Sequence, residues 1–481
     1  MTDPKLYRLL ADKVEIGLLE GLSSGKFRGG LIWEIKGWAI LSVAALGLAG
    51  ILALLLALLR VPGLDGLPWS SQEFFEKGLV AHVTFAFVVW YLGVQAALSV
   101  IATAALGPVN RTGLVAGRLG LAGAGISFFL LLAPVLLNLG EASPNNYVPV
   151  LIQPIFYVGL CTLAFSLLLP LGRLFAGIIT HRSVGAFSYG VAAAGLIFVI
   201  ALVCAAAAWT TLPSDWPPRE ANEYIFWGAG HLLQFNNTAL FLCALYIFTQ
   251  ITLGRHPVMP SVFVVALGLL VVGASVGPMF YLIYAPGDPA QSSAFTDMFW
   301  YVLPLPAGVM LLAIVWLLCR RWADISDMTP EIVGLVIVIF LFSVGGMMGF
   351  FESSVDTRTP AHYHAELIAV TLAFMILYFA LFMPLIGCSD LYRKWRFAMY
   401  VLLGGGQLIH SLGLFLAGFL GAIRKVSIAE QDADSLGQTL SLMLMGIGGM
   451  IAVIGGVIFV VIVIKSFWKN EGIRPTLMSE R

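Results

Sequence analysis

The sequence predicts an all-α membrane protein, a bundle of twelve transmembrane helices, and three observations lead there. Of 481 residues, 59% are apolar and only 11% are charged, where an ordinary globular chain carries roughly 45–50% and about 25%. The mean hydropathy of +0.94 requires lipid rather than water over most of the surface. The apolar stretches recur without the period-two alternation that barrel strands need. A soluble enzyme is thereby excluded. Lys and Arg number 26 against 26 Asp and Glu, so there is neither net charge nor a basic tract for a nucleic acid to follow.

Taken in order, the spans are expected at 37–60, 78–105, 116–138, 148–171, 185–210, 223–252, 259–285, 297–318, 331–351, 362–388, 397–420 and 438–464. Charge, Gly or Pro bounds each of them: Lys36 and Arg60 bracket the first, Lys77 and Gly107-Pro108 the second, Pro257 and Pro286 the seventh. Each is long enough to cross about 30 Å of hydrocarbon at about 1.5 Å per residue. Residues 1–35 are interrupted by Lys5, Arg8, Asp12, Lys13, Glu15 and Glu20, unlike a signal peptide. They are expected as a cytoplasmic N-terminal segment with a surface helix. Residues 36–466 then form one membrane domain and 467–481 a cytoplasmic tail. Distributed over alternating loops, the basic residues split 20 to 6, which places both termini in the cytoplasm of, most simply, a bacterial inner membrane. The five cysteines, Cys161, Cys204, Cys243, Cys319 and Cys388, form no C-x-x-C pair and no c-haem attachment motif, and read as packing residues.

The histidines carry the chemistry. His181 and His256 fall in loops. His82 lies just inside span two, His231 inside span six, and His362 and His364 at the start of span ten, all on helices entering from the outer face. Intramembrane ionisable groups are costly unless paired or ligating, so four imidazoles in the outer third define a site. In His362-Tyr363-His364, two residues along a helix mean about 200° of rotation, and the rings point to opposite sides of span ten. They cannot share one ion, but each can serve its own large planar cofactor, and haem with an axial imidazole fits lipid, histidine and size. His82 then closes the second axial position of one haem and leaves the other with an open face.

Twelve spans, a histidine early in span two, a histidine in span six, a His-x-His in span ten and a basic pair after span eleven resemble subunit I of the haem-copper oxidase superfamily, which includes nitric oxide reductases. The resemblance implies a bundle of that type over nearly the whole chain. It implies that His82 and His364 bind a low-spin haem, that His362 binds a high-spin haem, and that Arg424 and Lys425 of GAIRKV neutralise haem propionates. The stretch WGAGH, Trp227 to His231, resembles the span-six element that holds a distal metal. Where the family has a consecutive histidine pair in span seven, this chain reads Gly277-Pro278-Met279-Phe280. His231 with Gln234 and the Met279 thioether is a thin copper set. Spans six and seven also lack an interior glutamate for a non-haem iron, Glu366 being the nearest buried carboxylate, so the distal copper or iron is in doubt. His231, Gln234 and Glu366 remain the catalytic candidates. His410, near Gln407 on span eleven, reads as a core histidine or a support of the high-spin pocket.

The function so implied is a respiratory oxidoreductase subunit with two haems of b type or a related type, passing electrons from the low-spin haem to a second haem that reduces dioxygen or nitric oxide. One alternative is a dihaem electron-transfer anchor without catalysis, and another is a proton-coupled secondary transporter. The expected partners are the lipid bilayer, a diatomic gas or other electron acceptor, and further redox subunits, one a cytochrome on the outer face. Because the inner halves of the spans carry few relay residues, proton pumping is not expected.

Overall fold

The computed structural model describes residues 30–62, 71–182, 184–321, 328–388, 392–427 and 435–471. The expected N-terminal surface helix and most of the expected tail lie outside the described residues. Among the described residues twelve helices are long and apolar enough to cross a membrane: α1 Gly30–Leu58, α2 Gln72–Leu106, α3 Arg111–Leu136, α4 Pro154–Thr180, α5 Ala186–Thr211, α6 Pro218–Leu253, α7 Pro260–Ile283, α8 Pro289–Arg321, α9 Pro330–Gly349, α10 Arg358–Leu385, α11 Arg393–Phe419 and α12 Leu436–Phe467. An even number of crossings puts Gly30 of α1 and Phe467 of α12 at one end of the bundle. The other end, the outer face of the sequence expectation, is called the far end below.

Starts are set locally. Proline occupies the first turn of α4, α6, α7, α8 and α9, where its missing N–H costs nothing. Ser71, Asn110 and Thr329 accept the backbone N–H three residues on. One boundary corrects the sequence reading. The fourth span begins at Pro154 rather than 148, because Val150–Ile152 pairs antiparallel with Glu141–Ser143 as a short hairpin, β1 and β2, at the far end. The run VPVLIQPIF is apolar enough to join a span, but Pro149 and Pro154 sort it into strand and helix start.

Burial divides the bundle into two classes. In α2, α6 and α10, 94%, 89% and 83% of the most apolar stretch is buried, against 28–50% in the other nine. These three helices form the interior, and they carry His82, His231, His362 and His364. Polar bonds tie them together: the Tyr91 hydroxyl donates to the Leu367 carbonyl at 2.6 Å, and Gln95 and Asn236 exchange amide hydrogen bonds at 3.0 and 3.2 Å. Such pairs satisfy side chains that would otherwise face hydrocarbon alone. On the periphery, α1 and α4 share a buried two-bond ion pair, Arg173 to Glu34, at 2.9 and 2.8 Å.

Glycine sets the closest seam. Between α11 and α12, a Cβ added at Gly406, Gly413, Gly448 or Gly455 would lie 2.3–2.5 Å from a backbone nitrogen of the facing helix. The two backbones meet nearly bare, as small residues allow in membranes.

Candidate functional site

His82 sits two residues before a π-helical turn, Thr84–Val89, which inserts an extra residue into α2 and turns its face there. Such turns recur at functional positions. The His82 Nδ1 lies 2.9 Å from the Ala49 carbonyl of α1. On α10, the His362 Nδ1 lies 2.8 Å from the Gly345 carbonyl of α9, and its ring rests on Gly349, where a Cβ would approach to 3.0 Å. The His410 Nδ1 lies 2.9 Å from the Met445 carbonyl of α12. A carbonyl can only accept, so each Nδ1 is the protonated nitrogen and each Nε2 keeps a lone pair. That is the second-shell arrangement that fixes a metal-ligating imidazole.

The two rings of His362-Tyr363-His364 face different helices. His362 turns to α9, whereas His364 meets His410 of α11 edge to face, with ring centroids 4.9 Å apart. His82, His364, His410 and Arg60 share one electrostatic neighbourhood. Glu366, one turn after His362, brings its Oε2 to 3.8 Å from the His362 Nε2, and Gly345 leaves it room, since a Cβ there would meet the Glu366 side chain at 2.6 Å.

At the far end, Arg60, Arg424 and Lys425 converge. Arg60 donates to the carbonyls of Val426 and Ile423 at 2.9 and 3.0 Å. Arg424 and Lys425 both reach the Asn146 side-chain oxygen, at 3.1 and 3.2 Å. Loop 420–427 is held by loop 350–357, through the Thr357 N–H to the Ala422 carbonyl and the Arg424 N–H to the Val355 carbonyl. Burial first, then the adjacent Arg424 guanidinium, pushes the Lys425 pKa down to about 8. Burial likewise lowers Arg60 to about 10. Among the described residues none of the three cations has a carboxylate within ion-pair distance. Half-buried guanidinium and ammonium groups gathered without an anion are unfavourable, so the cluster suits an anionic ligand.

His231 is built differently. It is buried, and its Nδ1 lies 2.8 Å from the Trp227 carbonyl while its Nε2 lies 2.9 Å from the Tyr147 hydroxyl. Tyr147, in the loop between β1 and β2, holds a left-handed φ of 59° and fits only because residue 230 is glycine, a Cβ there lying 2.2 Å from that of Tyr147. Burial and the nearby Glu352 and Glu223 raise the Tyr147 pKa, so the phenol keeps its proton and donates it to His231. Around this pair stand Trp227, Phe295 and Phe299. Met279 is 52% exposed on the outside of α7 and does not approach His231. Gln234 is half-buried one turn further along α6, and Glu366 belongs to the His362 side. His231 and Gln234 thus share α6, while Glu366 stands beside His362 on α10. Among the described residues no three His, Cys, Asp or Glu side chains converge on one point.

Two haems fit the remaining donors: imidazoles with an exposed lone pair, three cations, and the buried Gln407 amide and Ser411 hydroxyl flanking His410 with no protein partner. A distal copper does not fit His231, whose two nitrogens are both engaged. Sequence reading missed Arg60 and Tyr147. Arg60 was visible as one of six basic residues on the outer side, but Tyr147 gave no local signal.

Comparison with known proteins agrees with this architecture. The family model for Cytochrome C and Quinol oxidase polypeptide I matches residues 35–472. The chain belongs to that family. Among solved structures, the chain superposes on a heme-copper terminal oxidase dimer with a TM-score of 0.73 and 15% identity, over 91% of this chain and 84% of that one, which shows the shared fold. Among curated relatives, an uncharacterized protein of Rickettsia prowazekii (strain Madrid E) is 25% identical over 91% of this chain and 96% of its own length. An uncharacterized protein of Aquifex aeolicus (strain VF5) is 27% identical over 71% of this chain and 83% of its own. The family thus supplies an integral membrane bundle of the haem-copper oxidase type, built around α2, α6 and α10.

Proposed function

We infer that the protein is the haem-binding membrane subunit of a respiratory oxidoreductase. His82 and His364 hold one haem, and His362, on the opposite side of α10, holds a second. Arg424, Lys425 and Arg60 hold the propionates. When bound, the haems supply one-electron carriers and one open iron able to take a diatomic gas. The protein's own residues do the rest: carbonyls of Ala49 and Gly345 orient the imidazoles, the three cations neutralise the carboxylates, and the packed aromatic groups around His231 exclude water.

The observation that carries this reading is the pinning of His82 and His362 by carbonyls of neighbouring helices, which leaves a lone pair on each of two interior helices. Held by these residues, the haems would supply a path for electrons from a partner at the far end toward dioxygen or nitric oxide as acceptor. The Tyr147–His231 pair favours a second reading, a dihaem anchor that conducts without reducing a gas, because it leaves no imidazole for a distal metal.

A pyridine haemochrome spectrum with metal quantification, on the unaltered protein and on His82→Ala and His362→Ala, tests the assignment. Two haems per chain are expected, with a different one lost in each variant. A colourless preparation overturns it. Carbon monoxide binding by the reduced protein, followed by consumption of dioxygen or nitric oxide, separates the two readings: turnover supports the first, and binding without turnover the second.

A further inference from the structure

His410 is a buried titratable group that the assignment above does not use. Every other interior histidine has a hydrogen-bond acceptor for its ring N–H: Ala49 for His82, Gly345 for His362 and Trp227 for His231. His364 is the exception, with no hydrogen bond to either ring nitrogen among the described residues. Its immediate ring neighbour across the helix seam is His410. The His410 Nδ1–H is committed to the Met445 carbonyl, so its Nε2 can only accept. An acceptor without a donor thus stands beside a donor without an acceptor. The two rings meet at 70° with centroids 4.9 Å apart, and the torsion that turns an imidazole about its Cβ–Cγ bond is soft.

The geometry points to His410 as a positioning residue for His364: its Nε2 receives the His364 ring N–H, and the chain Met445 carbonyl, His410, His364 fixes the orientation and raises the donor strength of the His364 imidazole. This rests on the haem assignment above. The backbone contact of Gly448, where a Cβ would lie 2.3 Å from the His410 nitrogen, holds α11 in place for it. A more strongly donating imidazole stabilises the oxidised iron, so the relay lowers the midpoint potential of the haem held by His82 and His364.

The experiment is redox titration and low-temperature paramagnetic resonance of the purified, haem-loaded protein carrying His410→Leu, His410→Phe or His410→Gln. Leu and Phe lack an acceptor, so an upward shift of the low-spin midpoint potential is expected, with the low-spin signal retained. Gln restores an acceptor, and a return toward the unaltered potential is expected. Unchanged potentials in Leu and Phe overturn the proposal. Conversion to a high-spin form that binds carbon monoxide at both haems also overturns it, because His410 would then be a ligand itself. So does failure of all three variants to accumulate, which assigns His410 to the fold. Absence of haem from the unaltered protein defeats the earlier assignment instead, and is distinguished by colour alone.

Discussion

The residues that decide the site are those whose hydrogen bonds leave something over. A pinned Nδ1 makes an imidazole rigid and basic at Nε2, and His82, His362 and His410 meet that description, whereas His231 has both nitrogens engaged. Lys425 presents the same logic for a cation. Its folded pKa of about 8 lies below the ordinary 10.5, so between those values the unfolded chain binds more protons than the folded one, and stability rises with pH through that window. A carboxylate seated beside Lys425 cancels the depression. In haem-free protein, the melting temperature is therefore expected to rise between about pH 8 and about pH 10, and the rise shrinks in Lys425→Met and in the haem-loaded protein. An equal rise in all three would assign the slope to other groups. Most of this was legible in sequence as residue type and depth. The partners were not, because Ala49, Gly345 and Met445 lie 33, 17 and 35 residues from the imidazoles they hold.

Elements show which patterns carry over from sequence and which do not. Twelve apolar runs become twelve helices because lipid leaves the backbone no other partner. The His-Tyr-His spacing sends two rings to different neighbours because the helix geometry does so in any context. The hairpin 141–152 escaped the reading, since an apolar run carries no mark of strand pairing. The α11–α12 seam was equally hidden, as glycines report closeness only once the facing backbone is known. Gly448→Ala tests that seam. Its Cβ would meet the His410 nitrogen at 2.3 Å, and overpacking of this kind costs about 1–3 kcal/mol. A lowered melting temperature with weakened low-spin absorbance is expected, while Gly456→Ala, with nothing within 4 Å of its Cβ, leaves both unchanged. Equal effects at the two positions would remove the seam from the account.

Over the whole molecule, the interior trio places the site away from lipid and close to one end of the bundle. The histidines were readable as a layer, but α6 begins at Pro218 rather than 223, and His231 stands thirteen residues inside it, apart from the cluster of His82, His364 and His410. Under the proposed function, electrons from a soluble donor reach the haems through a partner at the far end. Purified alone, its haems are expected to be reduced by dithionite and not by a soluble ferrocytochrome. Rapid reduction by the ferrocytochrome without added subunits would refute this.

The hairpin between α3 and α4 has one further consequence. Asn146 is bonded to Glu223 on one side and to Arg424 and Lys425 on the other, so Tyr147 works as a cork, wedged in the mouth above His231. A hydrophilic solute arriving from the aqueous side would have to break that whole fastening to reach the imidazole.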